Sequence, residues 1–321
     1  MRQKKTSMIG RITRGLIGRL SNDRFVGGLI KNGVLLGKIK EKKWKVPEHY
    51  RVFEIQGKRC TMEMTEPEQP NDDYILLQLH GGAYVFPMRN AYRSFAALYS
   101  ELGQGIRVLT VDYRTAPEYP FPAALEDAVN AWDWLIDSGW SADRIIVAGD
   151  SAGGGLALSL CHWLKKEGRE LPRGVIAMSP WTDMTASGAS YAENYHRDPL
   201  FGNTSKSMIS NRDYAGGHDP KDPLLSPVFG DFTGFPPMLI QVGSYEMLRD
   251  DSVLVAQKAK KQGVKVRLSV YEGMFHVFQM SKFLIPESRD AWKEIRQYLK
   301  IICNESEPSA KQLSVGSLFT E

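Results

Sequence analysis

The stretch Arg144-Ile-Ile-Val-Ala-Gly-Asp-Ser-Ala-Gly-Gly-Gly-Leu-Ala157 decides how the rest of the chain is read. Ile145 to Ala148 is a short apolar run rich in β-branched residues, the composition of a strand buried inside a parallel sheet. Gly149-Asp-Ser-Ala-Gly153 follows directly. Beyond it an Ala/Leu-rich segment to Leu164 repeats apolar residues at helical spacing. Strand, Gly-x-Ser-x-Gly and helix in that order predict a nucleophile elbow. The turn is tight enough to strain the central serine, and a Cβ at either glycine would collide with the neighbouring strand or helix. What it achieves is a hydroxyl projected at the positive end of a helix. A bare Gly-x-Ser-x-Gly is common in loops; its flanks make this one specific.

Outward from the elbow, the chain alternates. Tyr50 to Ile55 and Arg59 to Met64 predict two half-buried antiparallel strands, with Gln56-Gly-Lys58 as their turn. Tyr74 to Leu79 is a buried strand running into His80-Gly81-Gly82-Ala83. Strands are also predicted at 106–111, 174–179, 238–242 and 266–270, with helices at 92–102, 123–136, 252–261 and 287–302. Such alternation implies an α/β protein with a mainly parallel sheet covered on both faces. Its active site is expected at the carboxyl ends of the strands. Two stretches break the pattern, residues 1–45 and 182–217, and both are read as pieces of a lid. The organisation expected is a catalytic core at 46–181 and 218–303, lid pieces at 1–45 and 182–217, and a flexible polar tail at 304–321.

Composition excludes several classes. The chain has 321 residues, 42% hydrophobic and 24% charged, ordinary for a globular protein with a large core. Cys60, Cys161 and Cys303 form no Cys-x-x-Cys pair and fit the reduced thiols of a cytoplasmic protein. No apolar run reaches the ~18 residues of a membrane span, and the first 22 residues lack a secretory apolar core. The net charge of +4 hides an asymmetry: residues 1–45 carry 13 Lys/Arg against two acids, the remainder 28 against 35. With an acidic body and no binding motif, nucleic acid is excluded as a partner. Ile9, Ile12, Leu16, Ile17 and Leu20 follow helical spacing among Arg11, Arg14 and Arg19. Such a helix could lie on a membrane surface. The plainer expectation, adopted here, is that it packs on its own domain and leaves a solvated basic face.

Acyl transfer by a serine needs a base, an acid that orients the base, and donors for the oxyanion. His276 lies in the loop after the last strand, behind Gly273. His80 reads as a brace for the glycine loop; His162 falls in the elbow helix, His196 and His218 in or beside the lid segment. After strand 238–242 come Glu246, Asp250 and Asp251. Glu246 is nearest the strand end and is taken as the acid, with Asp250 in reserve, since Asp250 and Asp251 also suit the first turn of the next helix. The order Ser151, Glu246, His276 is the order this elbow architecture requires. Oxyanion donors are expected from the backbone of Gly81, Gly82, Ala83 and Ala152. A phosphate-binding role for the glycine loop is excluded, since neither Gly-Lys-[Ser/Thr] nor Gly-x-Gly-x-x-Gly is present.

Together, His80-Gly-Gly-Ala83, Asp112-Tyr-Arg-Thr-Ala-Pro-Glu118, Phe121-Pro-Ala-Ala124, Gly149-Asp-Ser-Ala-Gly-Gly154 and His276-Val-Phe278 resemble the bacterial branch of the hormone-sensitive-lipase family of esterases. The resemblance runs from about residue 50 to residue 300, with five motifs in order. It implies an α/β-hydrolase fold, a mainly parallel eight-stranded sheet flanked by helices, with a helical cap built from the N-terminus and an insertion after the sixth strand. It implies hydrolysis of carboxylic esters, mostly of short acyl chains, with Ser151 as nucleophile and His276 as base. Two departures stand out. Ala83 occupies a position that is usually Gly, and Glu246-Met-Leu248 stands where Asp-Pro-Leu is common. The other Asp-Pro-Leu, at 222–224, precedes its strand and is expected out of reach. Asp112 and Arg114 are expected to hold the core loop by ion pairing. Substrate choice is expected in Phe86, Met88, Tyr191 and Tyr195.

The mechanism expected is an acyl-enzyme cycle on short- to medium-chain esters, needing no metal or cofactor. The partner is a small-molecule ester, and a second copy of the chain is admitted. The base must be neutral, so the rate should fall as pH drops through the ordinary imidazole range near ~6.5. Lactonase, amidase or deacetylase activity would use the same three residues. A non-catalytic binding protein on this fold should lack the nucleophile or base, and both are present.

Overall fold

In a computed structural model of the chain, describing residues 6–22, 27–31, 40–204, 207–210 and 213–304, the predicted alternation closes into one eight-stranded sheet. The strands are β1 (Tyr50–Gln56), β2 (Thr61–Pro67), β3 (Asn71–Leu79), β4 (Ile106–Asp112), β5 (Ile145–Asp150), β6 (Gly174–Met178), β7 (Met238–Gly243) and β8 (Val266–Tyr271). Their order is β1-β2-β4-β3-β5-β6-β7-β8; β2 runs antiparallel to both of its neighbours, β1 and β4, and the other pairs are parallel.

Continuous apolar runs form these strands because both faces are buried. Ile75, Leu77, Ile145, Val147, Val175 and Ile240 point into one cluster; Leu76, Ile146, Ile176 and Leu239, one residue out of step, point into another. Helices α4 (Ala123–Asp137), α5 (Ala152–Lys166) and α7 (Arg249–Lys261) cover the first face, and α3 (Asn90–Leu102) and α8 (Pro286–Asn304) the second. Burial of these runs, at roughly 25 cal/mol per Å² of apolar surface, drives the assembly.

The site's position follows from strand order. From β3 the chain steps to β4 on one side, then crosses to β5 on the other, so the loop after β3 and the elbow after β5 meet at the switch point. Register carries the alignment across the sheet. Leu79 pairs with Gly149, Asp150 with Met178, and Gly243 with Tyr271. His80, Ser151, Ser179, Glu246 and His276 therefore all follow strand ends that lie at one rim.

The remaining helices are α1 (Met8–Ser21), α2 (Gly27–Lys31) and α6 (Ser190–Glu193). Segment 182–217 holds α6 and a helical turn at Met208–Ser210, and no strand among its described residues. The tail expected to be flexible lies, from residue 305, outside the described residues, as do 1–5, 23–26 and 32–39 of the basic segment. Helix α1 does pack on the body, but of the apolar residues expected to turn inward only Ile17 does so, half-buried against the cluster of Met274, Phe275 and Phe278. Gly10 and Ser21 are buried while Met8, Ile9, Ile12, Leu16 and Leu20 are exposed. The reason is that polar bonds from Ser7, Arg14 and Ser21, beside Ile17, fix the face that turns inward. Among the described residues, no helix is long and apolar enough to cross a membrane.

Candidate active site

At the elbow Ser151 has φ 52° and ψ −123°, a region disfavoured for any residue with a Cβ and costing on the order of 1–3 kcal/mol. Two backbone bonds hold it there: its N–H donates to Met178 O at 2.9 Å, and its carbonyl accepts the Trp181 N–H at 2.9 Å. The glycines answer the expected steric need. A Cβ on Gly149 would sit 2.2 Å from Gly153 O, and one on Gly153 would sit 2.1 Å from Leu79 O. Ser151 is nearly buried at the N-terminus of α5.

The hydroxyl meets the two residues predicted for it. His276 Nε2 lies 2.9 Å from Ser151 Oγ, and His276 Nδ1 lies 2.8 Å from Glu246 Oε2. Glu246 is fully buried, and its other oxygen, Oε1, accepts the Ser179 hydroxyl at 2.7 Å and the Gly243 amide. Ser179 Oγ in turn accepts the Val277 N–H at 3.2 Å. Sequence reasoning passed over Ser179 as the last residue of a strand. The signal was its place: it follows β6, the direct neighbour of the elbow strand.

The reserve acids are engaged elsewhere. Asp250 Oδ2 accepts the Ser190 N–H at 2.9 Å, and Asp251 Oδ2 accepts the amides of Thr182 and Asp183 at 2.7 and 2.9 Å. Both fasten segment 182–217 to α7. Asp222 accepts the Leu224 N–H in its own turn at 2.9 Å.

The glycine loop follows expectation in part. Gly82, Ala83 and Tyr84 all have positive φ (128°, 54° and 60°), which explains why a glycine at position 83 would be at ease. Gly81 is a correction. Its N–H donates to Asp150 Oδ1 at 3.2 Å, so that amide is spent on a brace and is not an oxyanion donor. Asp150 also accepts the Tyr92 hydroxyl at 3.3 Å; burial pushes its carboxyl up to about 7. His80 does brace the loop: its Nδ1 donates to Gly81 O at 2.7 Å and its ring stacks on Tyr113. Full burial lowers its pKa to about 4, keeping it neutral. Asp112 and Arg114 do not pair with each other. Arg114 grips Asp127 (2.9 Å) and Glu126 (3.0 Å) on α4, whereas Asp112 accepts the Met88 N–H at 2.9 Å.

Of the four residues assigned to substrate choice, Phe86 folds back over Gly82, donating its N–H to Gly82 O at 3.1 Å. Met88 is buried with Leu76 and Tyr92 in the cluster on the other face of the sheet. Tyr191 and Tyr195 pack against the cluster that contains Ala83 and Ala152. Desolvation holds the Tyr191 phenol well above its ordinary pKa. The side chain that segment 182–217 lays on the base is Phe201, its ring 4.6 Å from that of His276. Nothing in the periodicity marked it. The same segment holds the acid's turn: Asn194 Nδ2 donates to Glu246 O at 2.7 Å, and Asp198 Oδ2 accepts the Met247 N–H at 2.8 Å.

A serine on an elbow, hydrogen-bonded to an imidazole that is hydrogen-bonded to a buried carboxylate, on a parallel sheet with this strand order, defines a hydrolase of the α/β class. Residues 76–280 match a family described as alpha/beta hydrolase fold. An acetyl-hydrolase of Streptomyces hygroscopicus is 39% identical over 77% of this chain and 81% of its own length. An esterase of Acinetobacter venetianus is 34% identical over 72% of this chain and 76% of its own. A solved esterase of the bacterial hormone-sensitive lipase family superposes with a TM-score of 0.81 at 32% identity, covering 94% of this chain and 100% of that one. The chain belongs to the hormone-sensitive-lipase family of α/β-hydrolases.

Proposed function

We propose that the protein is a serine carboxylic ester hydrolase that cleaves short- to medium-chain acyl esters through an acyl-enzyme. The observation that carries this reading is the unbroken relay from Ser151 Oγ through both nitrogens of His276 to Glu246 Oε2, each link under 3 Å. His276 takes the serine proton as Oγ attacks the ester carbonyl. Glu246 holds the imidazole with Nδ1–H toward itself and stabilises the cation that forms. The amides of Gly82, Ala83 and Ala152 receive the oxyanion. The alcohol leaves with the proton from His276, and water repeats the sequence on the acyl-enzyme. Residues 1–45 and 182–217 act as the cap, and Phe86, Tyr191 and Tyr195 bound the acyl side of the cleft. A reducing, cytoplasmic compartment suits three unpaired cysteines.

The test is hydrolysis of p-nitrophenyl esters from acetyl to palmitoyl, beside matched amides and lactones. The wild type should favour short acyl esters, and Ser151→Ala should lose about 10⁴-fold or more in kcat. A Ser151→Ala chain that keeps its rate, or amides cleaved faster than esters, would refute the reading.

A further inference from the structure

Helix α1 is mounted inside out. Polar groups bind it to the body: the Ser7 N–H donates to Glu287 Oε1 at 2.6 Å, Arg14 donates to Gly273 O at 2.6 Å, and the Ser21 hydroxyl donates to Pro199 O. At about 100° per residue, Met8, Ile9, Ile12, Leu16 and Leu20 fall within one third of the helix circumference, on the far side. They are between 51% (Ile9) and 73% (Met8) exposed. Arg11 and Arg19 are exposed on the same outward side, and the helix contains no acid. A second exposed apolar pair, Phe283 and Leu284, lies just before Glu287, the residue that accepts the bonds from Ser7.

A single exposed leucine is ordinary; five apolar side chains on one face beside two arginines make a patch that needs a cover. Charge decides which. A second copy docking through the same face would set arginine against arginine, with no carboxylate on the helix to neutralise them. An anionic headgroup layer supplies the opposite charge, and its acyl boundary buries the apolar stripe.

We propose that the outward face of α1 docks the protein on an anionic lipid surface. Thr6 and Arg14 hold the carbonyls of Glu272 and Gly273, so docking also fixes the loop leading to His276 relative to that surface. Docking is a binding property and is independent of the proposed ester hydrolysis.

Flotation of the full chain with phosphatidylcholine vesicles, with and without phosphatidylglycerol, tests it. The wild type should float with the anionic vesicles, far less with neutral ones, and less in high salt. Ile12→Asp and Leu16→Asp should each lower binding about tenfold or more, since a buried apolar side chain is replaced by a charge. Both are exposed positions, so the thermal midpoint and far-UV circular dichroism of each variant should match the wild type and certify the fold. Ser151→Ala should float like the wild type, which separates failure of docking from failure of the catalytic reading. The proposal is overturned if the wild type ignores anionic vesicles or if the Asp variants float equally well. It is also overturned if those variants instead dissolve a dimer seen by sedimentation velocity, which would assign the face to a second copy.

Discussion

Ser179 Oγ stands between acid and base, donating to Glu246 Oε1 and accepting from the backbone of Val277, next to His276. A hydrogen bond to a charged group is worth about 1.5–3 kcal/mol, so its loss should be felt in turnover. Ser179→Ala is expected to lower kcat about 10- to 100-fold with KM little changed, and Ser179→Thr should restore part of the loss. An equal fall in substrate binding would show a role in the cleft instead. Ser151, His276 and Glu246 were legible because each lies in the segment after a strand whose end could be read from an apolar run. Partnerships were not legible. That Gly81 spends its amide on Asp150, or that Arg114 reaches Asp127 and not Asp112, depends on side-chain reach across elements, which no periodicity encodes.

At the scale of elements, the elbow tolerates no bulk. A methyl on Gly153 would lie 2.1 Å from Leu79 O and 2.4 Å from His80 O, main-chain atoms at the end of β3 and the start of the glycine loop. Gly153→Ala must therefore push β3 and α5 apart. Overpacking of this kind costs about 3 kcal/mol. Chemical denaturation should show that loss, and esterase activity should fall further than stability because the glycine loop after β3 and the elbow serine before α5 are displaced together. An Ala variant as stable as the wild type would mean that the helix slides freely along the sheet. Helix α1 illustrates the limit of pattern reading. Its amphipathic period was plain, but which face turns inward was settled by Ser7, Arg14 and Ser21, polar residues whose partners lie far along the chain.

For the whole molecule, the mainly parallel sheet and its two covered faces followed from alternation, whereas the strand order came only with the fold; buried ionisable groups then tie stability to pH. Asp150 ionises in the unfolded chain near the ordinary carboxylate pKa of ~3.9 but holds its proton to about 7 in the fold. Its protonated form therefore stabilises the native state at low pH, and that contribution is lost as pH rises through about 7. The margin by which the wild type exceeds Asp150→Asn in denaturant midpoint should shrink between pH 4 and 7 and stay level above. A margin that grows over that interval would reverse the assignment. Segment 182–217 bears on the molecule differently. It places Phe201 on the imidazole and clamps the backbone of Glu246 and Met247 through Asn194 and Asp198. One segment thus touches the imidazole and the carboxylate's turn together. Replacing it with a foreign sequence would shift both of those groups at the same stroke, so turnover should change with any such graft.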